Sequence, residues 1–380
     1  MKIVIAPDSY KESLTALEAC EAIERGFRQV YPQADIVKVP MADGGEGTVQ
    51  SLVDATGGRI VTCSVLDPMG QPIEAFYGLL GDGKTAIIEM AAASGLALVP
   101  KDLRNPLLTS TYGTGQLIRH ALQAGVRHIM LGLGGSATND GGVGMAQALG
   151  YRFVDVNGKE VLPGGGNLGH IESIITDDVD PRLKETTFIA ACDVDNPMIG
   201  PKGASAVFGP QKGATPAMVE VLDNHLQHLA TCIRSDLGME VSTVPGGGAA
   251  GGLGAGVIAF LGAELKRGVD IVIEATNLAH HVQGADLVIT GEGRIDGQTI
   301  YGKTPIGVAK TAQEQQVKVV AIAGSLGTDY EAVHEHGIDI VFSLVPGVCT
   351  LDEALKKAAV NLERTAHNVA AMMQVGQQLR

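Results

Sequence analysis

Short apolar runs alternate with amphipathic stretches along the N-terminal part of the chain. Residues 3–5 form a β-branched apolar run, which predicts a buried strand, and residues 36–39 predict a second one. Between them, Thr15 and Glu18 have the spacing of a helix capping box, and the apolar residues that follow fall on one helical face. Residues 48–55 predict another helix. This order of elements indicates a parallel sheet with ligand-binding loops at the carboxyl ends of its strands.

The pattern changes between residues 59 and 90, where strand-like segments are separated by glycine and aspartate turns, with a hairpin tip predicted at residues 81–83. Alternation of helices and strands then resumes and continues to the C-terminus. We therefore predict an α/β protein of two domains. Residues 1–60 and 286–380 share one doubly wound domain, and residues 61–285 form a second α/β domain inserted into it.

The composition narrows the class of protein. The chain has 380 residues, of which 45% are hydrophobic but only 4% aromatic, so Ala, Val, Ile and Leu must build the core. A net charge of −14 argues against a nucleic-acid-binding surface. The five scattered cysteines form no C-x-x-C pair, which argues against a disulfide framework or a zinc site. Because no signal peptide or membrane-spanning apolar stretch is found, we expect a cytoplasmic protein without a membrane partner.

The strongest candidate for a binding loop is the glycine cluster at residues 132–144, which lies between a predicted strand and a predicted helix. Glycines let main-chain N–H groups approach an anion, and the helix N-terminus adds partial positive charge. This is not a Walker A loop, because G-x-x-x-x-G-K-[ST] is absent. We predict a phosphate-binding loop, with a merely tight turn as the alternative. A second glycine-rich run, at residues 246–256, fits another phosphate site or close helix packing equally well.

Acidic residues follow several of the predicted strands, namely Asp8, Asp43, Glu46, Asp193 and Asp195. A further loop at residues 290–305 carries Glu292 and Asp296, which suit Mg²⁺ ligation or proton acceptance, and Lys303, which suits a phosphate or a carboxylate partner. Because these residues all follow predicted strands, their joint placement favours a ligand-binding or catalytic site. Each aspartate alone is as well explained by a turn or a helix cap, and a solvated loop is the alternative for residues 290–305.

Six stretches carry these features: APDSYKESL (6–14), PMADGGEGT (40–48), GLGGSATNDGGVGMAQALG (132–150), CDVDNPMIGPKGASAVFGPQKGA (192–214), GGGAAGGLGAG (246–256) and TGEGRIDGQTIYGKTPIGVAK (290–310). Taken together, they closely resemble the bacterial glycerate kinase family of type I, which includes glycerate 2-kinases. The resemblance covers essentially the whole chain in order, with no departure at these motifs.

The resemblance implies transfer of the γ-phosphoryl group of ATP to D-glycerate, most often giving 2-phosphoglycerate, in glycerate, glucarate or glyoxylate metabolism. It also implies a two-domain fold, with a flavodoxin-like, Rossmann-like domain, an inserted α/β domain and the active site in the cleft between them. Anion-binding loops and Mg²⁺-binding carboxylates suit such chemistry. The alternatives are a 3-phosphoglycerate-forming kinase, a sugar-phosphate isomerase or acid dehydrogenase, and a non-catalytic sugar-acid- or phosphate-binding protein. For the oligomeric state, a monomer and a homodimer are both compatible with the sequence.

The predicted site combines four groups of residues. Phosphate and nucleotide binding is assigned to Gly134, Gly135, Ser136, Asn139, Gly141, Gly142 and Lys212. Glycerate binding is assigned to Asp8, Ser9, Arg294 and Lys303, and magnesium binding to Asp43, Glu46 and Glu292. Asp193 is the first choice for the catalytic base and Asp296 the second, while Lys11 is expected to hold the carboxylate of glycerate or the moving phosphoryl group.

Overall fold

The computed structural model describes residues 1–45 and 47–379, which form two compact units. Unit 1 contains residues 1–43 and 50–57 together with the chain from Val269 onward. Unit 2 contains residues 44–49 and 58–268. Both units combine helices with a β-sheet, as the α/β prediction requires.

The described part of the chain contains thirteen strands: β1 (Lys2–Ile5), β2 (Asp35–Lys38), β3 (Arg59–Leu66), β4 (Pro72–Leu79), β5 (Thr85–Glu89), β6 (His128–Gly132), β7 (Arg152–Val154), β8 (Ser173–Ile175), β9 (Thr187–Ala191), β10 (Glu264–Lys266), β11 (Leu287–Ile295), β12 (Val319–Leu326) and β13 (Ile340–Ser343). Thirteen α-helices occur in the same residues: α1 (Ala16–Arg28), α2 (Thr48–Thr56), α3 (Ala91–Ser94), α4 (Tyr112–Gln123), α5 (Val143–Ala148), α6 (Ala204–Phe208), α7 (Pro216–Leu237), α8 (Ala249–Leu261), α9 (Gly268–Ala275), α10 (Leu278–Val282), α11 (Thr304–Glu314), α12 (Leu351–Lys356) and α13 (Ala358–Gln378). None of these helices is both long and apolar enough to cross a membrane.

Unit 1 contains a five-stranded parallel sheet in the order β13-β12-β11-β1-β2. The apolar run of β1 is buried because it lies inside this sheet, with Val4 opposite Val288 of β11 and Val37 of β2. Thr15 and Glu18 form the predicted capping box at the start of α1. The loops after β1, β2 and β11 therefore emerge at one edge of the sheet.

Helices α1 and α13 pack against each other in unit 1. Ile23 and Phe27 of α1 join Leu362 of α13 in one buried apolar cluster with the sheet. Gly26 permits the close approach, because a Cβ at this position would lie 2.2 Å from the carbonyl oxygen of Glu363. The C-terminal helix is thus part of the core of unit 1.

Unit 2 contains a six-stranded mixed sheet in the order β10-β9-β6-β5-β4-β3. Strands β10, β9, β6 and β5 pair in parallel, whereas β5, β4 and β3 pair antiparallel, which explains the strand-like pattern of residues 59–90. The predicted turn at residues 81–83 joins β4 to β5. Because β6 and β9 are parallel neighbours, with Gly132 opposite Ala191, the loops that follow them lie at the same edge of the sheet.

Residues 269–285 pack with unit 1, although the sequence analysis assigned them to the inserted domain. They form most of α9 and α10. Val269 lies against Gly307 of α11, and a Cβ on Gly307 would lie 2.4 Å from Val269 Cγ2. Nothing in the sequence of these two short helices indicates which of the two units they pack against. We propose the boundary between Gly268 and Val269.

The second glycine-rich run, residues 246–256, packs closely against the glycine loop at residues 132–144. A Cβ on Gly251 would lie 2.0 Å from the carbonyl oxygen of Thr138, and one on Gly256 would lie 2.4 Å from that of Gly141. Gly251 also has a φ of 72°, and its carbonyl accepts the Gly141 N–H at 3.1 Å. Of the two predicted explanations for this run, the structure supports close packing.

Replacing Gly256 by alanine should therefore destabilise the protein by about 1–3 kcal/mol, because the new methyl group overlaps the backbone of the glycine loop. Gly376 of α13 is a matched control, since a Cβ there meets nothing within 4 Å. Gly376→Ala should change the free energy of unfolding by no more than about 1 kcal/mol, in the stabilising direction, because alanine favours helix. Urea denaturation of both variants measures the difference, and equal stabilities would contradict the packing argument.

Candidate active site

Most of the predicted site residues line two cavities, each formed by a single unit. The cavity of unit 2, here the glycine-loop pocket, has a volume of about 220 Å³ and is lined by Gly134, Gly135, Ser136, Asp193 and Lys212, among others. The cavity of unit 1, here the carboxylate–cation pocket, has a volume of about 770 Å³. Its lining includes seven predicted residues: Asp8, Ser9, Lys11, Asp43, Glu292, Arg294 and Lys303.

Two neighbouring strands position the glycine-loop pocket. The loop after β6 carries Gly134 and Gly135, which are exposed, and the loop after β9 carries Asp193. One carboxylate oxygen of Asp193 accepts the Gly268 N–H at 3.0 Å, which fixes its orientation. An exposed carboxylate beside bare glycine backbone provides both a proton acceptor and a place for an oxyanion.

Lys212 is a buried cation in the wall of this pocket, with 1% of its surface exposed. Its Nζ donates hydrogen bonds to Ser136 Oγ at 2.7 Å and to the carbonyl oxygen of Thr138 at 2.6 Å. Burial lowers the pKa of Lys212 to about 7, although the negative charge of Asp140 opposes this shift. Lys212 therefore holds the glycine loop and places a titratable positive charge next to it.

Asp140 anchors the other half of the loop, a role that the sequence analysis missed. Its buried carboxylate accepts hydrogen bonds from Thr111 N at 2.8 Å and Thr111 Oγ1 at 2.9 Å. It also accepts the N–H groups of Gly142 and Gly144 at 3.2 and 3.3 Å. Burial nevertheless raises the pKa of Asp140. The position of this aspartate just before two glycines was the only sequence signal for an anchoring turn.

Three residues predicted to bind phosphate do not reach the pocket. Asn139 is fully buried and donates from Nδ2 to Ser205 Oγ at 3.0 Å. A Cβ on Gly141 would meet Leu229 Cδ2 at 2.4 Å, and one on Gly142 would meet the side chain of Leu253 at 3.0 Å. These residues form the packed half of the loop. Of the residues predicted to bind phosphate, Gly134, Gly135, Ser136 and Lys212 line the pocket.

Hydrogen bonds and charges organise the carboxylate–cation pocket. Asp8, which is 8% exposed, accepts Thr304 Oγ1 and the Ser9 N–H, both at 2.6 Å. Burial is the main cause that raises the pKa of Asp8 to about 6 and that of Glu292 to about 7. The negative charge of Asp43 raises both further, whereas Lys303, 3.8 Å from Glu292, opposes the shift of Glu292.

Asp296, the second choice for the catalytic base, lies outside the lining of this pocket. Its Oδ2 pairs with Arg294 Nε at 3.1 Å, and its Oδ1 accepts the Gln298 N–H at 3.0 Å. Because a base must reach the reacting hydroxyl, these contacts indicate a different role. Asp296 orients Arg294, which does line the pocket.

The proposed metal ligands fit a magnesium–phosphate complex better than a metal site made of protein alone. Among the described residues, no group of three His, Cys, Asp or Glu side chains could hold a metal ion. Glu46 lies outside the described residues. Asp43 and Glu292 both line the pocket, and the negative charge of Asp43 raises the pKa of Glu292. One or two carboxylates suffice for Mg²⁺ when phosphate oxygens and water complete its coordination, so the donor set fits that ion.

Exchange of Lys212 for methionine tests the buried charge. The folded-state pKa of about 7 lies below the ordinary value of 10.5, so the unfolded chain binds more protons between these two pH values. The free energy of unfolding should therefore rise with pH across that window in the native protein, and Lys212→Met should remove this contribution. Urea denaturation at several pH values measures it. Lys202→Met, at an exposed lysine, is the control, and identical pH dependence in all three proteins would contradict the assignment.

Comparisons with known proteins agree with these features. A sequence model described as "Glycerate kinase family" matches residues 3–374. The glycerate kinase of Bacillus subtilis (strain 168) is 59% identical over 375 residues, which cover 99% of this chain and 98% of the relative. The glycerate 2-kinase of Escherichia coli (strain K12) is 54% identical over 376 residues and 99% of each chain.

The fold is equally similar to a solved structure. A crystal structure from Salmonella typhimurium LT2, of a protein assigned as glycerate kinase 2, superposes with a TM-score of 0.92 at 56% identity and covers 100% of both chains. This likeness confirms the predicted two-domain α/β fold. Since the family model and the relatives match nearly the full length, the chain belongs to the glycerate kinase family.

Proposed function

We propose that this protein transfers the γ-phosphoryl group of ATP to D-glycerate and forms ADP and 2-phosphoglycerate. Membership of the glycerate kinase family supports the reaction class, and the relative named glycerate 2-kinase supports the position of transfer. The observation that carries the proposal is the glycine-loop pocket, where Asp193 lies with exposed glycine backbone and the buried cation Lys212. Free cysteines at all five positions and the use of ATP support a cytoplasmic location.

The glycine-loop pocket suits the small acid. Its volume of about 220 Å³ is below the roughly 300–1,000 Å³ of pockets that enclose drug-sized ligands, so a three-carbon acid fits it better than a nucleotide. This departs from the sequence analysis, which assigned the loop to the nucleotide. Main-chain N–H groups at Gly134 and Gly135, together with Lys212, bind the carboxylate of glycerate.

Asp193 acts as the general base in this scheme. As the glycerate hydroxyl oxygen forms a bond to the γ-phosphorus, the bond from that phosphorus to the bridging oxygen breaks and ADP leaves. The hydroxyl proton passes to the Asp193 carboxylate, whose orientation is fixed by the Gly268 N–H. The protein contributes position and charge rather than a covalent intermediate.

The carboxylate–cation pocket suits phosphates bound to magnesium. Asp43 and Glu292 would hold Mg²⁺, with Glu46 a third proposed ligand. The ion would neutralise charge on the phosphate oxygens. Lys11, Arg294 and Lys303 line the same pocket and would bind the remaining phosphate oxygens, which is the second of the two roles expected for Lys11.

The product identifies the reaction. The full-length protein is incubated with ATP, Mg²⁺ and D-glycerate, and phosphorus NMR then distinguishes a secondary-alcohol phosphate from a primary one. We expect the secondary phosphate, formed in step with ADP. A primary phosphate would indicate a 3-phosphoglycerate-forming kinase, and binding of glycerate without any ADP would indicate a non-catalytic binding protein.

Asp193→Asn should lower kcat by about 10²–10⁴-fold, because the amide cannot accept the hydroxyl proton. The KM for glycerate should change little, since the anion-binding groups remain. Asp195→Asn is the matched control, because Asp195 is an exposed carboxylate on the same loop that does not line the pocket. A coupled ADP assay measures both variants, and full turnover in Asp193→Asn would eliminate this residue as the base.

A further inference from the structure

The carboxylate–cation pocket also has apolar lining residues that the proposed function does not use. Beyond the charged residues, its lining includes Leu344, Val345, Leu351, Leu355 and Ala358, here the apolar wall. Glycerate, Mg²⁺ and phosphate are all polar and have no group that would contact such a surface. A cavity of about 770 Å³ that is lined by both charged and apolar side chains suits a ligand with a charged part and an apolar part.

The apolar wall is exposed on one side and anchored on the other. Leu351 leaves 72% of its surface accessible, whereas Leu344, which directly follows β13, is 3% exposed. Leu351 is the first residue of α12, whose start is fixed by a capping box between Thr350 and Glu353, with hydrogen bonds of 3.0 and 3.3 Å. An exposed leucine held on a capped helix is a preformed contact surface.

A direct hydrogen bond connects the apolar wall to the loop that carries Lys11. Ser13 Oγ donates to the carbonyl oxygen of Leu355 at 2.7 Å. Ser13 lies two residues from Lys11, on the loop that follows β1. The distance between the wall and the cations is therefore set by the fold of unit 1 itself, and both ends of a bound molecule would be held in a fixed relation.

We propose that the nucleobase of ATP packs on the apolar wall while its phosphates lie at Lys11, Arg294 and Lys303. The inference rests on the proposed function, because it assumes that a nucleoside triphosphate is the phosphoryl donor. A flat, weakly polar base covers aliphatic side chains, and the anionic tail meets the cations at the other end. The nucleotide site thus lies in unit 1, not on the glycine loop of unit 2.

A cysteine in the lining allows a direct test. Cys349 is exposed and lines the same pocket. N-ethylmaleimide labelling of the full-length protein, followed residue by residue with mass spectrometry, should slow about tenfold at Cys349 when a non-hydrolysable ATP analogue with Mg²⁺ is present at about ten times its Kd. Tripolyphosphate and D-glycerate should leave the rate unchanged, because neither has a base. Equal labelling rates with and without the analogue would overturn the proposal.

A pair of substitutions tests the wall by kinetics. Leu351→Asp should raise the KM for ATP about tenfold or more, because it replaces an apolar contact with the nucleobase by a hydrated charge. The KM for glycerate and the melting temperature should not change, since Leu351 is exposed. Val360→Asp is the matched control, because Val360 is 68% exposed on α13 and does not line the pocket. An unchanged KM for ATP in Leu351→Asp would overturn the proposal.

These readouts separate the two hypotheses. Protection of Cys349 by the ATP analogue without phosphorylation of glycerate would support the nucleotide site and contradict the proposed function. The protein could instead convert ATP and glycerate while Cys349 stays unprotected and Leu351→Asp keeps a normal KM for ATP. That result would support the proposed function and contradict the nucleotide site.

Discussion

The position of the glycine loop depends on two buried ionisable side chains, Lys212 and Asp140. Lys212 is hydrogen-bonded to Ser136 and Thr138, and Asp140 accepts four hydrogen bonds from Thr111 and from the turn that begins α5. Loss of either side chain would leave buried polar groups without partners, which costs more than the bonds contribute when they are made. The exposed glycines are therefore held by a rigid frame, which is what stabilisation of a reacting oxyanion requires.

Both units place their functional groups at the carboxyl ends of parallel strands. In unit 2, the neighbours β6 and β9 bring the glycine loop to Asp193, and in unit 1 the neighbours β1 and β11 bring Asp8 to Glu292. Phosphoryl transfer needs little covalent participation by the protein, so a scaffold that fixes charges and amides is enough. With a net charge of −14, the protein must attract anions locally, and its pocket-lining cations do so.

Local signals in the sequence were sufficient for some features of the structure. The β-branched run of β1 and the capping box of α1 are determined by neighbouring residues, and both were predicted. The sequence predicted the position of the glycine loop, but it did not predict which half of the loop faces the pocket. That choice depends on contacts with Leu229 of α7 and Gly251 of α8, which are far away in sequence. The apolar wall was missed because leucines on a helix are normally explained by the core.

The crowding of carboxylates supports the proposal that the two pockets bind different ligands. Asp8, Asp43 and Glu292 repel one another, and burial makes the charged forms of Asp8 and Glu292 still less favourable. A free anion such as glycerate would add another negative charge to this group. In the proposed function, a polyphosphate with Mg²⁺ would instead bring a dication for the carboxylates, while Lys11, Arg294 and Lys303 would offset the phosphate charge. The glycine-loop pocket has a buried lysine and bare amides, and it can accept the small acid without a metal ion.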